Sequence, residues 1–195
     1  MAAWTASAIV AAAPAAAPFD GDAVLTVSAH VTDYANVPRE ELAGAQAHAT
    51  AAYRAAGLAL TWSSTPWRPE PSRSTDSNWI DVRVVILSRD MTDKLCRERR
   101  FSDEVLGHAL SAATGASGRI AYILYHRITR LAASHNTVQQ GLGHVMAHEI
   151  GHLLLGVSRH ADEGLMREEW RPWDGRVHTF TRRQEQEIRR RFPLP

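Results

Sequence analysis

The sequence predicts an α/β fold: a mixed, twisted sheet with an edge strand, two main helices and a small C-terminal helical part. Three observations carry this expectation. The segment from Trp79 to Leu87 is rich in β-branched residues and largely apolar, as suits a strand in the middle of a sheet. Two longer segments, one from Arg39 to Ala56 and one ending at Leu155, repeat their apolar residues near the helical period. The order strand, helix, strand, strand, edge strand, strand, helix indicates an α/β sandwich with mixed strand pairing.

Taken in order, Ala23 to Val31 is β-branched and partly alternating, a first strand. Pro38 suits a helix start, and Leu42, Ala45, Ala49, Ala52 and Tyr53 form an apolar stripe that Gly57 ends. Leu58 to Trp62 reads as a second strand. Ser63 to Asn78, rich in Ser, Pro and Arg, is expected to be an exposed loop bordering a cleft. After the central strand, Met91 to Phe101 is charged and expected at the surface. Val105 to Leu110 reads as an edge strand, Ala112 to Gly118 as a flexible link, and Arg119 to Tyr125 as another strand. A second helix is expected to begin between Ile128 and Thr137, with Val138, Leu142, Val145, Ile150, Leu153 and Leu154 as its apolar positions and Gly156 as its stop. Trp170, Pro172, Trp173 and Gly175 make an irregular stretch, and Thr181 to Gln184 matches a capping box opening a last helix to about Arg191.

With 195 residues and 45% apolar content the chain supports one domain, here 21–195, behind a leader-like segment at 1–20. That segment is a low-polarity run of Ala, Ile, Val and Trp ending in small residues, similar to a signal-peptide core without its positive n-region, so a secreted or periplasmic location is expected. Pro14 and Pro18 interrupt a stretch shorter than the roughly 20 residues of a spanning helix, which argues against a membrane span. The formal charge of +1, from 22 basic and 21 acidic residues, supplies no field that would attract nucleic acid. The arginines between Arg182 and Arg191 alternate with Glu185 and Glu187, as on a solvated helix face. Cys96 is the only cysteine, which excludes an intramolecular disulfide and a thiolate metal cage.

The stretch Gly143 to Gly156 carries the chemistry. His148 and His152 stand four residues apart, on one helical face about one turn from each other, so both imidazoles can reach a single metal ion. Glu149 leans towards the same cleft, where its carboxylate can take a proton from a water whose acidity the metal has raised. His160 offers a third imidazole shortly beyond Gly156, and Gly164, Leu165 and Met166 follow. His144, one turn before His148, is expected to pack or face solvent near the cleft. Tyr122 and Tyr125 are expected to pack on the sheet with a wet hydroxyl.

These residues resemble the zincin metalloproteases and, within them, the metzincins, whose active helix carries HExxH followed by a glycine, a third histidine and a methionine turn. The resemblance matches His148 and His152 to the helical ligands, Glu149 to the general base, Gly156 to the turn, His160 to the third ligand and Met166 to the methionine beneath the metal. Two spacings depart from the common pattern. Gly156 lies four residues after His152 where three are usual, and His160 lies eight after it where six are usual. Asp162, and more weakly Glu163, are therefore the alternatives for the third ligand. Leu106 to Leu110 resembles the edge-strand wall of the matrixins, where substrate backbone pairs as an added strand. The partner residues of a second, structural zinc have no counterpart near Ala121 or Tyr122, so one zinc ion is expected. The stretch from about Leu25 to Trp170 also resembles a group of small bacterial exported zincins.

The resemblance implies a zinc-dependent endopeptidase acting on peptide or protein substrates, with Glu149 as general base and His148, His152 and His160 as ligands. Two other readings compete with it. One is a zinc-stabilised peptide-binding module without turnover; the other is an enzyme held inactive by the residues before about Asp20.

Overall fold

The computed structural model describes residues 24–65, 78–110, 119–132, 137–156, 160–168 and 176–194. The leader-like segment, most of the loop after Ser63, the link at 112–118, His135, residues 157–159 and the aromatic stretch from Trp170 to Gly175 lie outside the described residues. Ten elements follow one another: β1 (Thr26–Asp33), α1 (Arg39–Ala55), β2 (Ala59–Ser63), β3 (Trp79–Ile86), α2 (Arg89–Arg99), β4 (Gly107–Leu110), β5 (Ile120–Ile123), α3 (Tyr125–Ala132), α4 (Val138–Leu155) and α5 (Arg182–Arg191).

The strands form one mixed sheet in the order β2-β1-β3-β5-β4. All neighbours are parallel except β4, which runs antiparallel to β5 at the edge. The alternating side chains Val27 and Ala29 of β1, Ile80, Val82, Val84 and Ile86 of β3, and Ala121 and Ile123 of β5 are buried in the main core with α1 and α4. On the opposite face, Val85 packs with Leu87 and Leu124 under Leu95 and Cys96 of α2.

Helix α4 is the centre of the molecule: every residue from Gly141 to Leu155 is buried. A helix apolar on most of its circumference must be enclosed on all sides. The alanines of α1 make this possible. Ala45, Ala49 and Ala52 leave so little bulk that a Cβ on Gly143 would stand 2.5 Å from the Ala45 carbonyl oxygen. Tyr53 closes the same interface by donating its hydroxyl to the Ala147 carbonyl at 3.1 Å.

Helix α5 opens with the expected capping box. Thr181 N–H donates to Gln184 Oε1 at 2.9 Å, and Gln184 N–H donates to Thr181 Oγ1 at 3.4 Å. Two of its arginines reach the C-terminal ends of the core helices: Arg189 donates to the Ala56 carbonyl just beyond α1, and Arg191 to the Leu155 carbonyl of α4.

Three expectations are corrected. The charged segment after Ser88 is at the surface, yet it is a helix: the Ser88 hydroxyl accepts from Met91 N–H, and Leu95 and Cys96 turn inward. The strand expected to reach Tyr125 ends at Ile123, and Tyr125 opens α3, a short helix separate from α4. The expected two main helices and C-terminal part are thus joined by α2 and α3. The edge strand is also shorter than expected, with Val105 and Leu106 leading into it.

That lead-in is held by Arg127 of α3, whose side chain is only 9% exposed. Its guanidinium donates to the carbonyls of Ser102 and Val105 and to the Asp103 carboxylate. Arg127→Ala would strip two carbonyls of their donor. It is expected to lower stability by about 2 kcal/mol in urea unfolding, against no more than about 0.5 kcal/mol for Arg130→Ala on the exposed side of the same helix.

Candidate functional site

Helix α4 places His148, Glu149 and His152 inside the protein, 8%, 7% and 9% exposed. The helix ends at Gly156, whose φ of +64° is left-handed and suits a residue without a Cβ. His160 lies against the same two imidazoles. The ring nitrogens of His148, His152 and His160 that face one another all lie within 4.8 Å. The ring centroids are 4.6 Å apart for His148 and His152, 5.2 Å for His148 and His160, and 5.1 Å for His152 and His160. Among the described residues this is the one group of three or more histidine, cysteine or acidic side chains with such spacing. Asp162 and Glu163 are exposed and outside it.

The donor set fits a divalent metal ion. His148 Nδ1 donates to the Leu165 carbonyl at 2.8 Å, which fixes the proton on Nδ1 and leaves Nε2 as a lone pair. That Nε2 stands 3.0 Å from His152 Nε2. Two nitrogens on one tetrahedral zinc, each about 2.0–2.1 Å from the ion, are separated by roughly 3.3 Å. Burial pushes the His148 imidazole down to about 4, helped by repulsion from His152 and His160 and opposed by the Leu165 bond. The ring is therefore neutral, the form that ligates a metal.

Glu149 lies beside this group, against the edge strand. Burial pushes its carboxyl up to about 8, although the nearby Ala109 backbone favours the charged form. Gly107 makes room for it: a Cβ there would stand 2.6 Å from both Glu149 Cγ and Oε1. The histidines and Glu149 line a cleft of about 1350 Å³ that runs along β4 between α3 and the return at His160, Arg167 and Glu168.

Beneath α4, Met166 is buried with its sulfur over Gly151, where a Cβ would be 2.5 Å away. The turn that carries Met166 thus also supplies the Leu165 carbonyl to His148. His144 is buried near the motif rather than facing solvent. The His178 ring meets its own edge-on at 5.4 Å, and His48 is close enough to help burial hold its pKa low. The edge-strand His108 lies on Phe101 at 4.8 Å, and burial together with Arg99 lowers its pKa. Its strand neighbours Gly107 and Ala109 meet Glu149 instead. Tyr125 donates its hydroxyl to Glu41 at 2.7 Å, and Tyr122 packs towards α2.

The Leu165 carbonyl, the Ala109 backbone and Gly107 were not foreseen as parts of the site. The first two are main-chain groups and carry no signature in residue type; Gly107 alone, a glycine inside an expected strand, signals a close approach. Neither a protein-family model nor a curated protein matches the chain.

Two outcomes test this geometry. In zinc titration of the metal-free protein, His160→Ala is expected to weaken binding about a hundredfold or more, while Asp162→Ala changes it less than about twofold. The second concerns metal-free stability. Glu149 is protonated in the folded protein up to about 8, against its ordinary 4.5, so its cost is absent below pH 4.5 and grows as pH rises towards 8. His148 acts at the other end, its contribution being full above its ordinary 6.5 and lost as pH falls through about 4. Glu149→Gln is therefore expected to melt with the wild type at pH 5 and several degrees above it at pH 9, and equal melting at both pH values would refute the buried-carboxyl assignment.

Proposed function

We propose that this chain is a zinc-dependent endopeptidase of the zincin type, with His148, His152 and His160 as the ligands and Glu149 as the general base. The single observation that carries the reading is a buried carboxyl group adjoining a cluster of three imidazoles in one open cleft. When bound, zinc supplies Lewis acidity, making water at its open position more acidic and polarising a carbonyl. Glu149 takes the proton from the attacking water and later delivers it to the departing amine. His148 is held neutral by burial and oriented by the Leu165 carbonyl.

The cleft supports a chain-like substrate. Its volume exceeds that of most small-molecule pockets, and one long side is the edge strand β4, which can pair with an extended backbone. Apolar Leu106, Leu110 and Val145 line it together with Arg130, Arg167 and Glu168. Among the described residues no helix is long and apolar enough to cross a membrane. The signal-like character of residues 1–20 agrees with action outside the cytoplasm.

The test is cleavage of a mixed peptide library by zinc-loaded protein, with Glu149→Ala at matched zinc content. The expected result is cleavage by the wild type and a loss of at least about a thousandfold in the variant. Zinc bound with peptides retained but uncut by either protein would assign the chain instead to a zinc-stabilised binding module.

A further inference from the structure

Only part of the cleft wall is sheet. Every residue from Phe101 to Leu110 lines the cleft, yet β4 begins at Gly107, and Leu106 joins the sheet through one bond, its carbonyl accepting from Leu124 N–H at 2.9 Å. Before Leu106 the wall has no strand beside it among the described residues. A segment so placed holds one shape only if its backbone groups find other partners. Arg127 supplies them. One guanidinium nitrogen donates to the carbonyls of Ser102 and Val105, the second at 3.0 Å, and the other nitrogen donates to the Asp103 carboxylate at 3.3 Å. Val105 N–H reaches back to the Ser102 carbonyl at 3.4 Å, so the guanidinium grips both ends of one turn.

This placement opposes stability. Arg127 lies in the first turn of α3, where the helix dipole disfavours a cation, and its side chain is only 9% exposed. The carboxylate that faces it is 91% exposed, and a carboxylate in water offsets little of the cost of burying a guanidinium. Residues held against such opposition concentrate where function requires them.

We propose that Arg127 is a positioning residue for substrate: by fixing the segment from Phe101 to Leu106 it lengthens the wall beyond β4, and the cleft therefore selects extended peptides that run past the edge strand over short ones. The inference rests on the peptide-substrate reading above and deepens it by naming the substrate class. All three bonds of the guanidinium are made to the wall itself. Its removal is therefore felt through peptide length and not through the metal ligands. A lysine would keep the charge but not the planar fork that spans two carbonyls and a carboxylate.

The test uses the zinc-loaded full chain carrying Glu149→Ala, so that peptide binding is read by calorimetry without turnover. The probes are acetyl-Ala-Leu-Ala-amide and acetyl-Ser-Ala-Thr-Ala-Leu-Ala-Thr-Ala-Ser-amide. The longer peptide is expected to bind at least about tenfold more tightly than the shorter. Adding Arg127→Lys is expected to remove most of that ratio while changing the affinity for the shorter peptide, and for zinc, by less than about twofold. A merely structural loss would weaken all three together. Asp103→Ala, at an exposed position that folding tolerates, is expected to lower the ratio about threefold, and it decides the matter if the Arg127→Lys protein does not fold. An unchanged ratio in the deciding variant, an equal loss for both peptides, or no binding of either would overturn the proposal. If zinc-loaded wild type cuts the longer peptide alongside any of these results, the peptidase reading stands and only the role of Arg127 falls. If the length effect appears without cleavage by the wild type, the role of Arg127 stands and the peptidase reading falls.

Discussion

The burial of α4 is the constraint on which the rest of the structure depends. A helix enclosed on every side brings into the core whatever polar groups it carries, and this one carries His144, His148, Glu149 and His152. Each buried polar group left without a partner costs on the order of 1–3 kcal/mol. The surrounding elements are arranged to supply partners. The turn at Leu165 offers its carbonyl to His148, β4 makes room for Glu149 at Gly107, and Tyr53 reaches the Ala147 carbonyl. Arg191 accepts the role of closing the helix, donating to the Leu155 carbonyl where Gly156 leaves it space.

This view explains why the framework was legible in the sequence and the contacts at the site were not. The central strand at Trp79, the alanine stripe of α1, the capping box at Thr181 and the motif helix are local patterns, each written within a dozen or so residues, and the structure contains all of them. Helix α2 was missed because most of its residues are charged, so that only Leu95 and Cys96 mark its inner face. Helix α3 was missed because Tyr125, Ile128 and Thr129 favour strands as much as helices, and eight residues are too few for a period to declare itself. The partner of His148 is a backbone group brought in from 17 residues ahead of it. Main-chain donors and acceptors are the same for every residue type, so no reading of composition or spacing singles them out.

The longer spacing between His152 and His160 has a physical resolution. Helix α4 runs to Leu155, and the left-handed Gly156 starts the departure one residue later than in the common metzincin arrangement. Ala161 N–H donates to the Met166 carbonyl at 2.7 Å, and Leu165 N–H donates to the Thr179 carbonyl at 2.7 Å. Gly164, at a φ of +75°, shapes this turn. The position of His160 is therefore supported by hydrogen bonds on its C-terminal side. Asp162 is carried outward by the same turn.

The cluster is also costly as it stands, and that cost bears on what it is for. His148 and His152 are buried with their Nε2 atoms 3.0 Å apart, and a buried carboxyl group whose pKa is pushed up to about 8 adjoins them. Replacing such groups with apolar side chains of similar size would stabilise most cores. A site that sets imidazoles facing one another with a carboxyl group at their side would be relieved by a cation, which would satisfy the ring nitrogens together and favour the ionised carboxylate. Local choices that oppose stability concentrate where function requires them. His160, at 36% exposure, leaves the cluster open towards the cleft, so an ion held there would face solvent and ligand on one side and the protein interior on the other. A purely structural metal is enclosed by its ligands, and this open face is the feature that favours chemistry over scaffolding.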